Sequence, residues 1–435
     1  MSRRIKRIMA FIRLQVGRIR SRLNLFMKKI GVRFSLLAAL FLTIACYFVN
    51  NLPIIPGDVS LQYMKSQQIR DLLGWHKNVN YGNVVFFNTS YDIELVPAID
   101  YHNTDIPETV GVNAITDREK LSTFLELLQK SNKYKFVIID LLFDDNDKSE
   151  YDDTLYNRII NMRDIVVANG YNICLPSKLS NKNKDALASY YISTSNTSFE
   201  RYEYTEDDIR SIPLFVYESL HPERKMNRYG IGRFSIYFSE NHLCQNANYL
   251  LFDSYLTKDN NEWTESTDDF DFFVPDYINI GSFLNELSTD VEKINYLADS
   301  TDSRVVIIGD FIHDTHDTYM GEKPGPLIMA RALQTLEERK NRVSFGHTCL
   351  WFFVFSLICF FIYRDKPLSM YIPLIKKIPY KFVHMVFSLI TVTVVLIFCS
   401  FIEFAFFDKV FSLIIPVAFF TILKLFIQYR KFDTL

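Results

Sequence analysis

Four apolar runs divide this chain, and they decide what the rest of it can be. The first is "FSLLAALFLTIACYFVN" (34–50), which carries no charge and approaches the length that crosses a bilayer. Three more crowd the C-terminal fifth: 346–363, 382–402 and 410–427. A cleaved signal peptide does not fit the first run, because its basic lead is long and no small-residue cleavage site follows. It reads as a retained anchor.

The basic residues set the orientation. Residues 1–33 hold eleven Lys or Arg and no acid, although the formal net charge of the whole chain is only −2. This lead keeps the N-terminus cytoplasmic. Residues 51–345 then lie outside. The second span returns the chain to a basic inner loop (364–381). Spans three and four form a hairpin with Glu403, Asp408 and Lys409 at its outer turn, and the tail (428–435) is inside again. Every basic cluster thereby falls on one side. Such a tail meets membrane lipid rather than nucleic acid. It lies along the inner leaflet as an amphipathic helix, or it is solvated and only fixes topology; the scattered apolar residues from Ile8 to Phe26 fit both readings.

Between the first and second spans the pattern is strand, helix, strand. "NVVFFNTS" (83–90) and "KFVIIDLLF" (135–143) read as buried strands. The segment from Thr116 has Glu119 three residues on, a capping-box spacing. Leu121, Phe124, Leu125 and Leu128 then share one helical face. A helix over 152–163 and strands at 165–168 and 304–310 follow, with a last helix over 324–340. Alternation of this kind predicts an α/β domain with a largely parallel sheet and right-handed crossovers, joined to four transmembrane helices. The region 172–275 is less regular, with strand-like pieces at 213 and 248.

The stretch "GDFIHDTHDTYMGEKPG" (309–325) concentrates candidate chemistry. His313, His316 and Asp314 are ligand types that suit a transition metal. The favoured reading of the same stretch is a polar loop ordered by its own side chains. In an open α/β sheet, ligands bind beyond the carboxyl ends of the strands. Asp140, Asp144, Asp310, His313 and Asp317 would share that edge, with helix starts near 116 and 325 adding N–H donors. The acidic run from Asp144 lacks the glycine and spacing of a calcium loop. No nucleophile-elbow, zincin or P-loop motif occurs, and "YGIGRF" (229–234) is too short for a nucleotide fingerprint. No catalytic residue and no cofactor are assigned. Of the six cysteines, only Cys174 and Cys244 lie outside the spans, where an oxidising exterior would let them pair.

Two quoted stretches carry a family resemblance. "FVIIDLLFDDNDKSEYDDTLYNRIINMRDIVVA" is similar to the helix, "D-x-x-F" strand, acidic loop and "vvla" strand of the second class of CHASE sensor domains. "RVVIIGDFIHDTHDTYMGEKPGPLIMARALQTL" resembles their closing strand, Asp-containing loop, Pro-Gly step and helix. The match runs over about 58–340, with a diverged middle. The family's usual single span before the sensor and three after it also fits. "PLIMA" departs from the family's pattern after Pro-Gly, and the His/Asp stretch replaces its small-residue loop. The resemblance implies an extracytoplasmic sensor; the high Asn, Lys, Ile and Phe content fits a bacterium, and with the span layout this implies an inner membrane and a periplasmic ligand. Its signal would leave through the helix at Pro324, Gly325 and Leu336. Where such sensors carry a fused output, this chain stops after the fourth span, so the expected output is a separate protein. A homodimer remains open. The rival expectations are a scaffold subunit of an envelope complex and a membrane-anchored metal-dependent hydrolase.

Overall fold

The computed structural model describes residues 31–49, 58–74, 81–100, 108–143, 147–168, 221–231, 234–249, 277–318, 321–364, 381–409 and 412–432, with shorter pieces between 179 and 220. The chain forms two compact units. An α/β unit spans Asn51–Val343, and a helical unit combines Met1–Asn50 with Ser344–Leu435.

The helical unit begins with α1 (Gly31–Val49). The α/β unit opens with α2 (Asp58–Leu72), then β1 (Val84–Asn88), and continues into an antiparallel ribbon, β2 (Ile93–Asp100) and β3 (Glu108–Thr116). Next come α3 (Arg118–Ser131), β4 (Phe136–Asp140), α4 (Asp152–Asn161) and β5 (Ile165–Val167). After a group of short strands the chain forms α5 (Ile212–Leu220) and a three-stranded sheet, β6 (Asn227–Ile231), β7 (Phe234–Ser239) and β8 (His242–Cys244). The main sheet is completed by β9 (Tyr277–Asn279) and β10 (Val305–Gly309), with α6 (Ile280–Glu286) and α7 (Asp290–Thr301) between them. A small ribbon, β11 (Thr315–Thr318) and β12 (Gly321–Pro324), then leads into α8 (Gly325–Glu337).

The main sheet has the order β9-β1-β10-β4-β5, and every pairing in it is parallel. That is the sheet the apolar β-branched runs predict, because strands covered on both faces have no polar side. Alternate residues separate into two cores. Phe86, Ile138 and Ile307 face α5, α8 and the short-strand region. Phe87, Ile139 and Ile308 face α3, α4, α6 and α7. Each such large apolar side chain contributes roughly 1.5–3 kcal/mol by leaving water. The predicted face of α3 holds: Leu121, Phe124, Leu125 and Leu128 are buried, and the Phe124 ring lies 4.6 Å from that of Phe87.

Three local expectations change. Thr116 is not the cap of α3, because it closes β3 opposite Ile93. Asp117 caps the helix instead, its side chain accepting from Lys120 N at 2.9 Å. The capping box of this unit is Thr289 with Glu292, at the start of α7. The strand-like piece at 213 is α5. Pro213 occupies its first turn, where the missing N–H costs nothing, and the apolar face of the helix outweighs strand propensity. The stretch 309–325 is only half loop: from Thr315 it is the ribbon β11–β12. Within "YGIGRF", Tyr229, Gly230 and Ile231 end β6 and Phe234 opens β7, the two strands pairing antiparallel.

The helical unit continues with α9 (Phe345–Tyr363), α10 (Lys381–Phe407) and α11 (Ile414–Phe432). Among the described residues, three helices are long and apolar enough to cross a membrane: Gly31–Val49, Phe345–Tyr363 and Leu389–Phe407. The fourth expected span is shorter. The apolar part of α11 covers Ile414–Ile427, about 21 Å at 1.5 Å per residue, against a hydrocarbon core of about 30 Å. Neighbours run antiparallel. Phe34 near the start of α1 meets Tyr363 at the end of α9, with ring centroids 5.7 Å apart. Gly346 near the start of α9 lies against Phe407 at the end of α10. Glu403 does not sit in a turn as expected. Phe404, Phe406 and Phe407 prolong α10 past it, and Glu403 is fully buried beside His347.

Candidate functional site

The four strands β9, β1, β10 and β4 end together, at Asn279, Asn88, Gly309 and Asp140. This carboxyl edge carries two polar clusters.

The first cluster joins β1 to β10. The Ser90 hydroxyl lies 2.6 Å from Asp310 Oδ1 and 2.5 Å from Asn88 Oδ1, so its one proton serves either oxygen. The backbone N–H groups of Phe311 and Ile312 donate to Ser90 Oγ at 3.1 and 3.2 Å. Asp310 Oδ1 also accepts from the N–H groups of Ile312 (2.9 Å) and His313 (2.8 Å). Its other oxygen faces His313 Nδ1 at 2.9 Å. Asn88 in turn donates to Asn279 at 2.8 Å, which reaches β9. Burial alone would raise the Asp310 carboxyl; the N–H groups of His313 and Ile312, the Ser90 hydroxyl and the His313 ring outweigh it and hold the group below the usual carboxylate range. Ser90 is therefore an acceptor for a turn rather than an activated nucleophile. His313, 62% exposed, is the one member facing outward.

The second cluster lies over β4 and the start of α8. Asp140 ends β4, and Asp314 follows the turn after β10. A side chain at Gly325 would collide with the Asp314 carboxylate and stand 3.2 Å from Asp140 Oδ2. The two carboxylates thus close on the first residue of α8, where the helix N-terminus favours negative charge. The Gly325 N–H donates to the Asp314 carbonyl at 2.8 Å. His316 Nε2 lies 3.1 Å from Asp314 Oδ1. Burial, with the adjacent Asp314 carboxylate and against His316, pushes Asp140 up to about 8. His316 is raised although burial opposes it, because it hydrogen-bonds Asp314 and faces both acids. Beneath them Tyr202 is fully buried, and burial together with the Asp140 charge holds its hydroxyl protonated. This arrangement stores a proton at neutral pH and presents carboxyl groups to a cation or a hydrogen-bond donor.

The expected site residues divide accordingly. Asp140 joins Asp314 and His316. Asp310 joins His313 in the other cluster. Asp317 is exposed on β11, and strand alternation turns it away from His316. Asp144 lies outside the described residues. As metal candidates, His313 and His316 serve different carboxylates, and among the described residues no three His, Cys, Asp or Glu side chains gather as a metal ion requires. Of the coupling residues, Pro324 and Leu336 are buried, and Gly325 is the contact point for the acid pair. Cys244 is fully buried, its thiol donating to the His242 carbonyl at 3.4 Å; Cys174 lies outside the described residues.

Four residues escaped sequence reasoning. Asn88 and Ser90 sit in "FNTS", where polar residues abruptly end a buried strand, and that break was a usable signal. Tyr202 comes from the irregular region and gave none. Arg118 is 1% exposed at the start of α3, its guanidinium 4.3 Å from the centre of the Phe143 ring and 3.7 Å from Asp152.

Comparison of the chain with family models, characterised proteins and solved structures returns no match.

Proposed function

We propose that the protein is a membrane-bound sensor. Its α/β unit takes a periplasmic ligand at the carboxyl edge, and the response leaves through α9 to a separate output protein in a bacterial inner membrane. The observation that carries this reading is the Asp140–Asp314–His316 cluster. It holds its acids against the first residue of α8, and α8 is the last helix of the α/β unit before α9. A ligand that binds these acids in one charge state biases that helix by its differential affinity for two packings. The sensor resemblance of the sequence supports the same reading.

Affinity purification of full-length protein from native membranes, with crosslinker, tests it. Recovery of a kinase, cyclase or regulator, altered by Asp140→Asn, is the expected result. Recovery of envelope proteins alone, unchanged in that variant, would remove the sensor reading.

A scaffold subunit is the second reading, and the β2–β3 ribbon favours it. Its outer face exposes Ile93, Leu95 and Val112, with Leu95 71% exposed. Apolar ribbon faces of this kind mark contact with another protein.

A further inference from the structure

One ion pair lies apart from the carboxyl edge, inside the helical unit. His347 is in the first turn of α9, and Glu403 is in the last turns of α10. His347 Nδ1 and Glu403 Oε1 are 2.8 Å apart. The angles are not those of a formed hydrogen bond, and neither Glu403 oxygen completes one. Glu403 is fully buried, and the His347 ring packs edge-on against Phe407 with centroids 6.0 Å apart. An ionisable group in such surroundings is costly and is retained for a reason.

The surroundings narrow that reason. The inward face of α10 runs Glu403, Ser400, Leu396, Val392, all buried. From Leu396 to Val392 that face is apolar. The pair sits at the end of the bundle where α9 begins. Other charged or titratable groups are few there. α10 adds Cys399, and Asp408 and Lys409 follow its end with partners of their own. α9 adds Cys349, exposed, and Cys359 deeper. α1 contributes Cys46 and Tyr47 near its end, with Arg33 at the opposite end. The ionisable residues of α11 begin at Lys424, in its far half.

We propose that His347 and Glu403 together bind one exchangeable proton and act as a latch between α9 and α10, released when that end of the bundle is acidified. With one proton shared, the pair has no net charge whichever atom holds it. The imidazole and carboxyl then attract across the helix interface. Uptake of one proton from water converts the pair to an imidazolium beside a carboxylic acid. A net positive charge is then buried in an apolar bundle, and the attraction between opposite charges is gone. The helix ends separate and hydrate to relieve it. This inference does not depend on the ligand reading of the carboxyl edge.

Hydrogen–deuterium exchange of full-length protein in phosphatidylcholine nanodiscs tests it. Peptides covering 345–351 and 400–407 should lose about tenfold or more in protection between about pH 7.5 and about pH 5.5, after correction for intrinsic exchange. His347→Gln should remove that pH dependence, Glu403→Gln should lower protection already at about pH 7.5 because no carboxylate remains to attract the imidazole, and the reversed pair H347E/E403H should restore the wild-type behaviour. Peptides over 136–140 report whether each variant stays folded. Unchanged protection in the wild type would overturn the proposal, as would an equal pH-dependent loss in folded His347→Gln.

Discussion

Ser90, just past the end of β1, reaches Asp310, just past the end of β10, with 2.6 Å between Oγ and Oδ1. That contact ties two neighbouring strands at the edge where the candidate site lies. Ser90→Ala leaves the N–H groups of Phe311 and Ile312 without this acceptor. Phe311 N–H still has Asn88 Oδ1 at 3.1 Å and Ile312 N–H still has Asp310 Oδ1 at 2.9 Å, so the expected loss is about 0.5–1.5 kcal/mol of stability, the net worth of a hydrogen bond rather than of an unsatisfied donor. Chemical denaturation of the full-length protein measures it, and an unshifted midpoint would show that water replaces the hydroxyl. By contrast, His313→Ala removes an exposed ring and should stay within about 0.5 kcal/mol.

Asp140 makes stability fall as pH rises. Its folded value of about 8 exceeds that of an unfolded carboxyl, so the folded state keeps a proton that the unfolded state has released. That advantage is complete only below the unfolded value near 3.8, shrinks steadily as pH rises between the two values, and is exhausted once pH has passed about 8. Denaturation midpoints should therefore decline between about pH 6 and about pH 8.5, and Asp140→Asn should flatten the decline. A slope that persists in the variant would place the titrating group elsewhere.

Gly325→Ala should be more harmful than a helix propensity scale suggests. Alanine normally favours a helix over glycine by about 1 kcal/mol. Here its methyl meets the Asp314 carboxylate. The substitution should destabilise the protein, and Asp314→Ala in the same chain should recover most of the loss. Thermal unfolding of the single and double variants gives the coupling. Additive effects would mean that the acid pair moves aside freely.

Arg118→Met should cost roughly 3–5 kcal/mol, because it strips the counter-charge from a buried pair and leaves the acid behind. The acids near this guanidinium are Asp152, Glu94 and Asp147. Asp152→Asn added to the methionine variant should return part of that stability. If the single variant is as stable as the parent, Arg118 acts by packing on Phe143 alone.

Much of the architecture was legible in the sequence because it rests on periodicity. The runs at 136–140 and 305–309 are apolar without alternation, and both became central parallel strands. The α3 face followed from spacing alone. What sequence could not give was which polar residues meet. Asp310 and Asp314 are four positions apart, yet one anchors a turn toward β1 and the other closes on Asp140 across the edge. Glu403 was misplaced for a related reason. Charge near the end of an apolar run reads as a boundary, and its partner His347 lies 56 positions away.

The last residues of the α/β unit are not a free linker. Val343 N–H donates to the Leu243 carbonyl at 2.8 Å, and Gln245 N–H to Asn341 at 2.8 Å. Arg342 and Arg339 both engage Glu240. Ser344 is already the cap of α9. The hydrogen bonding of the α/β unit therefore extends to its last residue, Val343. The final residues of the α/β unit are thus part of its sheet edge rather than a spacer.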